Sequence, residues 1–507
     1  MQLNVKQGYI QEEAADLIVV NLFEGVKTPG GALKAVDDAL GGAITQLIAD
    51  GDAKGKLGET TLLYTYGRLP APRVLITGLG KAEEFKVHHA RQAAAAAAKR
   101  ARQLGVTRFS TIVHGAGRGG LAPQDAAQAV AEGTLLGAYR YARRQREAKE
   151  QDTPPVAEVT VLEANPAQLE AVRRGVAVGQ VLGETANWAR DLINEPANYL
   201  TPRELARRIA AQAAEVGLEC QVMGEEELAA LGAGSFLAIA RGSEEEAQFI
   251  VLEHKPQGVD LADLPTVVLV GKAITFDTGG ISLKPAEDMW KMKDDMGGGA
   301  AVAAALTAAA RLNLPVHAVG LIAATENMPS GRALKPGDVV TAMNGKTVEI
   351  ISTDAEGRQV LADALCYAAR YKPTAVVDIA TLTGTIGLAL GRQLAGLFCD
   401  HEDLRSRLMQ ASEFSGEPLW PMPLYKPYRK LLESDVADLK HTGGRYGGSI
   451  LAALFLQEFA EGYPWAHLDI ASTIWQDEAT SFTVRGGTAF GARLLAELLR
   501  SYAARKE

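Results

Sequence analysis

The acidic residues of this sequence fall where chemistry is done rather than where solubility is needed. A β-rich run, TVVLVG at 266–271, leads into Lys272 and then Asp277; Lys284 follows, and Asp295 stands just before the small-residue helix MGGGAAVAAAL at 296–306. A second run, KTVEIIS at 346–352, ends at Asp354 and Glu356, ahead of the helical stretch RQVLADALCYAARY at 358–371. Ligands of open α/β sheets bind outside the carboxyl ends of strands, the places where Asp277, Asp354 and Glu356 are expected. Four carboxylates gathered at one sheet edge repel each other and raise each other's pKa unless cations hold them together. Divalent metal is the simplest neutraliser, and its binding would be tied to local folding. The donor set is rich in oxygen and lacks histidine: HExxH is absent, and His88 and His89 lie in a helix full of Lys and Arg. Carboxylates suit Zn, Mn, Mg or Co, and spacing does not choose among them. A lone Asp at such a place is usually a cap or turn residue. A set with two lysines and Arg358 threaded through it exceeds what capping explains.

The elements that must position these residues alternate between strand and helix. Over the first 165 positions, AADLIVVNLF, RVLITGLG and RFSTIVHG are strand runs, separated by helical stretches such as EFKVHHARQAAAAAAKRARQLG. The charged segment RRQREAKEQDTPP at 143–155 reads as a solvated connection, followed by one more strand, VAEVTVLE. From Pro166 to Ile193 the apolar spacing is helical and long enough to bridge two domains. Beyond it, TVVLVG, PVHAVGLIAA, KTVEIIS, TAVVDIATL and WAHLDIA are strands, several apolar along their whole length, as in a sheet covered on both faces. The expected fold is α/β in two domains: a smaller N-terminal α/β domain at 1–165, a linking helix at 166–192, and a larger α/β domain at 193–507 with a mixed central sheet flanked by helices.

Composition narrows the class. The chain has 507 residues, too many for one ordinary core. Its 47% apolar and 22% charged residues are the balance of a globular protein. A net charge of −9 argues against a general nucleic-acid partner. Three scattered cysteines, Cys220, Cys366 and Cys399, form no CxxC pair and no disulfide framework. No signal peptide opens the sequence and no apolar stretch approaches a membrane span, so a cytoplasmic protein with no membrane partner is expected.

With these residues in view, the sequence resembles the leucyl aminopeptidases, the hexameric dinuclear-zinc exopeptidases also called cytosol aminopeptidases. The family's octapeptide NTDAEGRL is matched by STDAEGRQ at 352–359, and its VGKGxTFDSGG block by VGKAITFDTGG at 270–280. ISLKP, MKDDMGGGAAV, ENMPSGRALKPGDVVTAMNGKTVEI, DIATLTG, WAHLDIAS and RDLINEPANYLTP match as well, so the likeness spans about 185–500 and is much looser over the first 165 positions. The resemblance implies that Asp277 and Glu356 bridge two metal ions, that Lys272 and Asp295 complete the tighter site, and that Asp354 serves the more exchangeable one. A ligating Lys272 must be neutral, a depressed pKa that two dications would enforce. Lys284 would polarise the scissile carbonyl, and Arg358 would hold a bicarbonate ion acting as general base. The implied activity is release of N-terminal leucine or other apolar residues from short peptides by a hydroxide shared between two ions. Met292, Thr381, Gly384, Ala471 and Ile474 match positions lining the pocket for the first side chain, and a homohexamer is implied too. Ser352 replaces the family's Asn, Ala273 a Gly and Thr278 a Ser; none of these removes a ligand.

Other readings rest on thinner signals. GAGRGG at 115–120 fits GxGxxG after a strand, but the helix begins only near Pro123 and no acidic residue follows at the spacing a dinucleotide site needs. A loop between domains is the plainer account. GKT at 345–347 lacks the first P-loop glycine, and no GxSxG is present. Arg91, Lys99, Arg100 and Arg102 read as a solvated helix face before they read as a nucleic-acid surface. A catalytically silent scaffold has no reason to keep so costly a cluster of carboxylates.

Overall fold

The computed structural model describes residues 1–141 and 153–503, so most of the charged connection expected at 143–155 lies outside the described residues. The chain divides into two compact units, Met1–Asn187 with Asp477–Arg485, and Trp188–Gln476 with Gly486–Glu507. A late segment of nine residues thus clusters with the first unit. The 26-residue helix α5 below runs through the 187/188 boundary.

In the first unit β1 (Gln2–Gln7), β2 (Ile18–Leu22), β3 (Thr60–Tyr64), β4 (Arg73–Gly78), β5 (Arg108–Ile112) and β6 (Glu158–Glu163) form one sheet in the order β1-β6-β5-β2-β4-β3. Every pairing but β3 with β4 is parallel. Its helices are α1 (Gly31–Ala39), α2 (Ala43–Asp50), α3 (Val87–Gln103), α4 (Pro123–Ala138) and α5 (Leu169–Asn194). The central strands are mainly apolar, and Ile18, Val19, Val20, Val74 and Leu75 are fully buried. The basic face expected on α3 is divided: Arg91 is buried in an ion pair with Glu132 (2.7 Å), while Lys99 donates to the carbonyls of Thr480 and Thr483.

The second unit opens with α6 (Pro202–Val216), β7 (Glu219–Met223), α7 (Glu225–Ala230), α8 (Gly234–Ala240) and β8 (Gln248–His254). Then come β9 (Thr266–Asp277), α9 (Gly297–Arg311), β10 (His317–Asn327), β11 (Val339–Thr341), β12 (Thr347–Glu349), α10 (Gly357–Ala368), β13 (Ala375–Ala380), α11 (Gly384–Leu390), β14 (Ala395–Cys399), β15 (Leu419–Met422), β16 (Leu439–Lys440) and β17 (Trp465–Asp469). Eight strands make a mixed sheet in the order β15-β14-β17-β13-β9-β10-β8-β7, with β9, β10, β13 and β17 parallel at its centre. Those central strands are buried on both faces, which explains why they read as continuous apolar runs.

One expectation needs correcting. The KTVEIIS run does not join this sheet; only Thr347–Glu349 is a strand, and it pairs with β11 and β16 in a separate small sheet. Val348 and Ile350 are buried while Thr347 and Glu349 are half-buried, the alternation of a strand covered on one face. Asp354 and Glu356 therefore arrive at the end of the main sheet on a turn that leads into α10, not on a strand of it.

Candidate metal centre

Lys272 and Asp277 both lie on β9, five residues apart, an odd spacing that sends side chains of a regular strand to opposite faces. The pairing with β10 resolves this. Ile274 stands opposite Thr325 and Asp277 opposite Asn327, so β9 spends three residues where β10 spends two. That single extra residue is a bulge, and it re-aims Asp277 into the site that Lys272 also faces.

Around these two residues the structure gathers the rest. Lys272 Nζ lies 2.8 Å from Asp295 Oδ1, 2.8 Å from Glu356 Oε1 and 2.9 Å from the Thr381 carbonyl. Lys284 Nζ lies 2.7 Å from Asp277 Oδ2 and 2.5 Å from Asp354 Oδ1. Asp295 precedes α9, and Glu356 stands at the N-cap of α10, so two helix N-termini also face the carboxylates and favour their charge. Gly279, at φ +85°, turns the chain between Asp277 and Lys284; a Cβ there would stand 2.6 Å from the Ser282 carbonyl and 2.8 Å from Asp354 Oδ1. All five acid and lysine positions expected as ligands, with Lys284, are therefore in one cluster.

Burial makes the cluster electrostatically tense. It pushes Asp295 well above the usual carboxylate range and, with Glu356 beside it, pushes Asp277 up to about 6 despite Lys284 and Lys272. Burial also opposes charge on Glu356, but Lys272 and Lys284 outweigh it and bring that carboxyl down to about 2. For Lys272, burial disfavours the ammonium, yet Asp295, Glu356 and Asp277 together hold its pKa above the usual lysine value. That is the reverse of what a ligating lysine needs. The two ammonium groups offset only part of the charge of the four carboxylates, and only stronger positive charge among the same oxygens would turn Lys272 neutral.

The donor chemistry fits divalent ions. Oxygen atoms of Asp277, Asp354 and Glu356 all lie within 4.8 Å of one another, and Asp295 Oδ2 is buried with no hydrogen-bond partner among the described residues. An orphaned carboxylate oxygen is costly unless something positive meets it.

Several groups that the sequence reading did not single out hold the cluster in shape. Asn327, the last residue of β10, donates through Nδ2 to Asp277 Oδ1 (2.8 Å), to the Thr353 carbonyl (3.0 Å) and at 3.5 Å to Glu356 Oε2. Asp469, at the end of β17, accepts from the backbone N–H groups of Leu382, Thr383 and Ala471 and from the Thr383 hydroxyl, tying two loops together. Both residues end central strands, which is the one signal that would have found them. Arg358, buried on α10, donates from Nη1 to the His441 carbonyl (2.8 Å), while its Nε has no partner among the described residues.

The five expected pocket residues are distributed less tightly. Thr381 belongs to the charged cluster itself, its hydroxyl donating to Asp295 Oδ1 (2.7 Å). Ile474 is buried against the start of α9, 2.4 Å from where a Cβ on Gly297 would stand. Met292 lies in the short 3-10 turn before Asp295 and accepts that residue's backbone N–H. Ala471 hangs on Asp469, and Gly384 opens α11 with empty space where a Cβ would be.

Comparison with known proteins gives a consistent picture. Residues 187–496 match the model of the cytosol aminopeptidase family catalytic domain, and 19–148 match that family's N-terminal domain. The chain is 44% identical to the probable cytosol aminopeptidase of Roseiflexus castenholzii over 99% of both chains, and 45% identical to that of Geotalea uraniireducens over 92% of both. Among solved structures it is similar to the bottromycin maturation enzyme BotP in complex with Mn (38% identity, TM-score 0.85, 97% of this chain and 100% of that one). It is also similar to a variant of tomato leucine aminopeptidase (30% identity, TM-score 0.87, 99% and 96%).

Proposed function

The chain belongs to the cytosol aminopeptidase family and is an aminopeptidase, a peptide hydrolase, and on that premise we propose that it is a leucyl aminopeptidase that works with two divalent metal ions. It would release N-terminal leucine or other apolar residues from short peptides. The observation that carries the reading is the buried cluster in which two lysine ammonium groups are each held between two carboxylates. The Mn named in a similar structure supports it.

Asp277, Asp295, Asp354, Glu356 and Lys272 would hold the ions, Zn or Mn first, with Co or Mg as alternatives. Bound there, the ions supply Lewis acidity, acidifying water and polarising the scissile carbonyl. The chain does the rest. Lys284, with 22% of its side chain exposed, is the cation of the cluster that reaches solvent, and its proton-bearing ammonium can face the oxygen that gains charge as the carbonyl is attacked. Arg358, its Nε unpartnered, presents a planar fork suited to bicarbonate, which it would orient to take a proton. Met292, Thr381, Gly384, Ala471 and Ile474 would receive the first side chain, a set apolar enough for leucine or methionine. The ions held there would also favour a free α-amine at the substrate's N-terminus, so acetylated peptides should not turn over; measurable hydrolysis of them would refute the exopeptidase mechanism. A cytoplasmic homohexamer completes the proposal. No helix among the described residues is long and apolar enough to cross a membrane.

The test is hydrolysis of leucine p-nitroanilide by chelator-stripped protein re-supplied with Mn, Zn, Co or Mg, beside Glu356→Ala. Restored turnover in the wild type and none in the variant supports the reading. Silence with every metal across a panel of N-terminal residues overturns it.

A further inference from the structure

The first unit carries a cavity that the peptidase reading does not use, and it lies where a parallel sheet reverses its order. From β2 the chain passes through α1 and α2 to β3 and β4 on one flank of β2; from β4 it passes through α3 to β5 on the other flank. The loops that leave the carboxyl ends of β2 and β5 therefore diverge, the arrangement in which open α/β sheets bind ligands. The strands splay as well. β2 pairs with β4 from Ile18 to Leu22, but with β5 only at Ile18 and Val19. A cavity of about 310 Å³ opens at that gap.

Its walls suit one kind of ligand. The GAGRGG loop forms one side, and its glycines divide by role. A Cβ on Gly115 or Gly119 would strike the Phe85 ring, at 2.2 and 2.7 Å, so packing alone accounts for them. Gly117 is different: it lines the cavity, its φ is not positive, and nothing lies within 4 Å of where its Cβ would be. Gly30, across the cavity at the N-cap of α1, has the same two properties, with φ −136°. Neither conformation nor packing demands glycine at these positions; both leave bare backbone facing the cavity.

Charge points the same way. The cavity is lined by one cation, Arg118, and by no carboxylate, in a chain whose net charge is −9. Arg118 is exposed and makes no ion pair or hydrogen bond among the described residues. The nine-residue helix α1 has no side-chain cap and no acidic residue in its first turn. Asn21, at the end of β2, donates through Nδ2 to Nδ1 of the buried His114 (3.0 Å), which in turn meets the Thr111 hydroxyl (3.3 Å). That pins Asn21 and leaves its Oδ1 without a partner among the described residues, an acceptor for a base amine or a sugar hydroxyl. Phe23, Val26 and Ile112 supply apolar wall for a flat ring.

We propose that this crevice binds a nucleoside diphosphate: the phosphates against Arg118, the Gly117 backbone and the α1 N-terminus, and the nucleoside toward Asn21 and the apolar wall. It is not a dinucleotide fingerprint, because α4 begins three residues after the glycine loop and points its N-terminus from Pro123. The site is independent of the peptidase centre.

Isothermal titration of the full chain with ADP, ADP-ribose and pyrophosphate tests it. ADP and ADP-ribose should each saturate one site per chain, with pyrophosphate at least tenfold weaker. Arg118→Glu and Gly117→Val should each weaken binding by about tenfold or more, while leucine p-nitroanilide turnover stays unchanged. Both substitutions place their new atoms in open space, so the fold survives them. Pyrophosphate binding as well as ADP would reduce the site to an anion hole and overturn the nucleoside assignment. No saturation, or binding that ignores both variants and disappears with Glu356→Ala, would overturn the site altogether.

Discussion

The two units use the same place in a parallel sheet, the space beyond the carboxyl ends of its central strands, and build it from opposite materials. In the second unit the working groups are side chains, six charged ones packed where Asp295 and Glu356 are only 5% and 3% exposed. In the first unit the cavity wall is mostly glycine backbone and apolar side chains, with the single charge of Arg118 at the surface. A centre of side chains stores electrostatic energy and depends on each member. A crevice of backbone and apolar side chains stores little, so single changes there should alter binding without costing the fold. The difference separates a buried cluster of charges from a crevice that carries one cation at its edge.

Breaking the charged centre should therefore have the largest effect. Glu356→Ala is expected to lower turnover on the order of a thousandfold or more. In metal-stripped protein it also leaves the buried Lys272 ammonium with one carboxylate in place of two, a loss of about 1.5–3 kcal/mol that thermal or urea unfolding would read. An unchanged midpoint would mean that the pair contributes nothing to the fold. A smaller effect is expected from Asn327→Ala, which removes hydrogen bonds to Asp277 and Glu356 without removing charge: metal affinity should fall by about 10–100-fold, followed by metal titration of activity. Equal affinity would reduce Asn327 to a strand-end residue.

The first unit offers the gentlest test. His114 is fully buried, and burial pushes its imidazole down to about 4 from an ordinary 6.5. The unfolded chain thus takes up a proton below about 6.5 that the folded unit refuses until about 4. The contribution of neutral His114 is complete above 6.5 and is lost as pH falls toward 4, up to roughly 3 kcal/mol. Melts of wild type and His114→Gln across that window should converge on the acid side; parallel curves would show that His114 is not the group responsible.

The residues of the charged cluster were legible because their signal is local. Asp277, Asp354 and Glu356 each stand next to a turn after an apolar run, and together with Asp295, two lysines and Arg358 they form a set that capping does not explain. Asn327 and Asp469 escaped because an amide or acid ending a strand looks ordinary until its neighbour in the sheet is known, and that neighbour lies 50 residues away for Asn327 and 86 for its counterpart's partner Thr383. The α/β class and mixed sheet followed from the alternation of runs. Strand membership did not: KTVEIIS carries the pattern of a half-buried strand, and nothing in its own residues says which sheet it joins. The GAGRGG loop shows the converse, a motif whose spacing argues against one ligand class while its position at the β2/β5 gap argues for another.

The bulge in β9 has a consequence best put as parity. Lys272 and Asp277 share a site only because one uncounted residue lies between Ile274 and Asp277. Straightening the strand at constant length would leave the odd count and turn Asp277 toward the other face, whereas losing the extra residue together with the bulge would make the count even and keep the two side chains on one face. The centre thus depends on how the residues of β9 are counted against β10 as much as on any side chain.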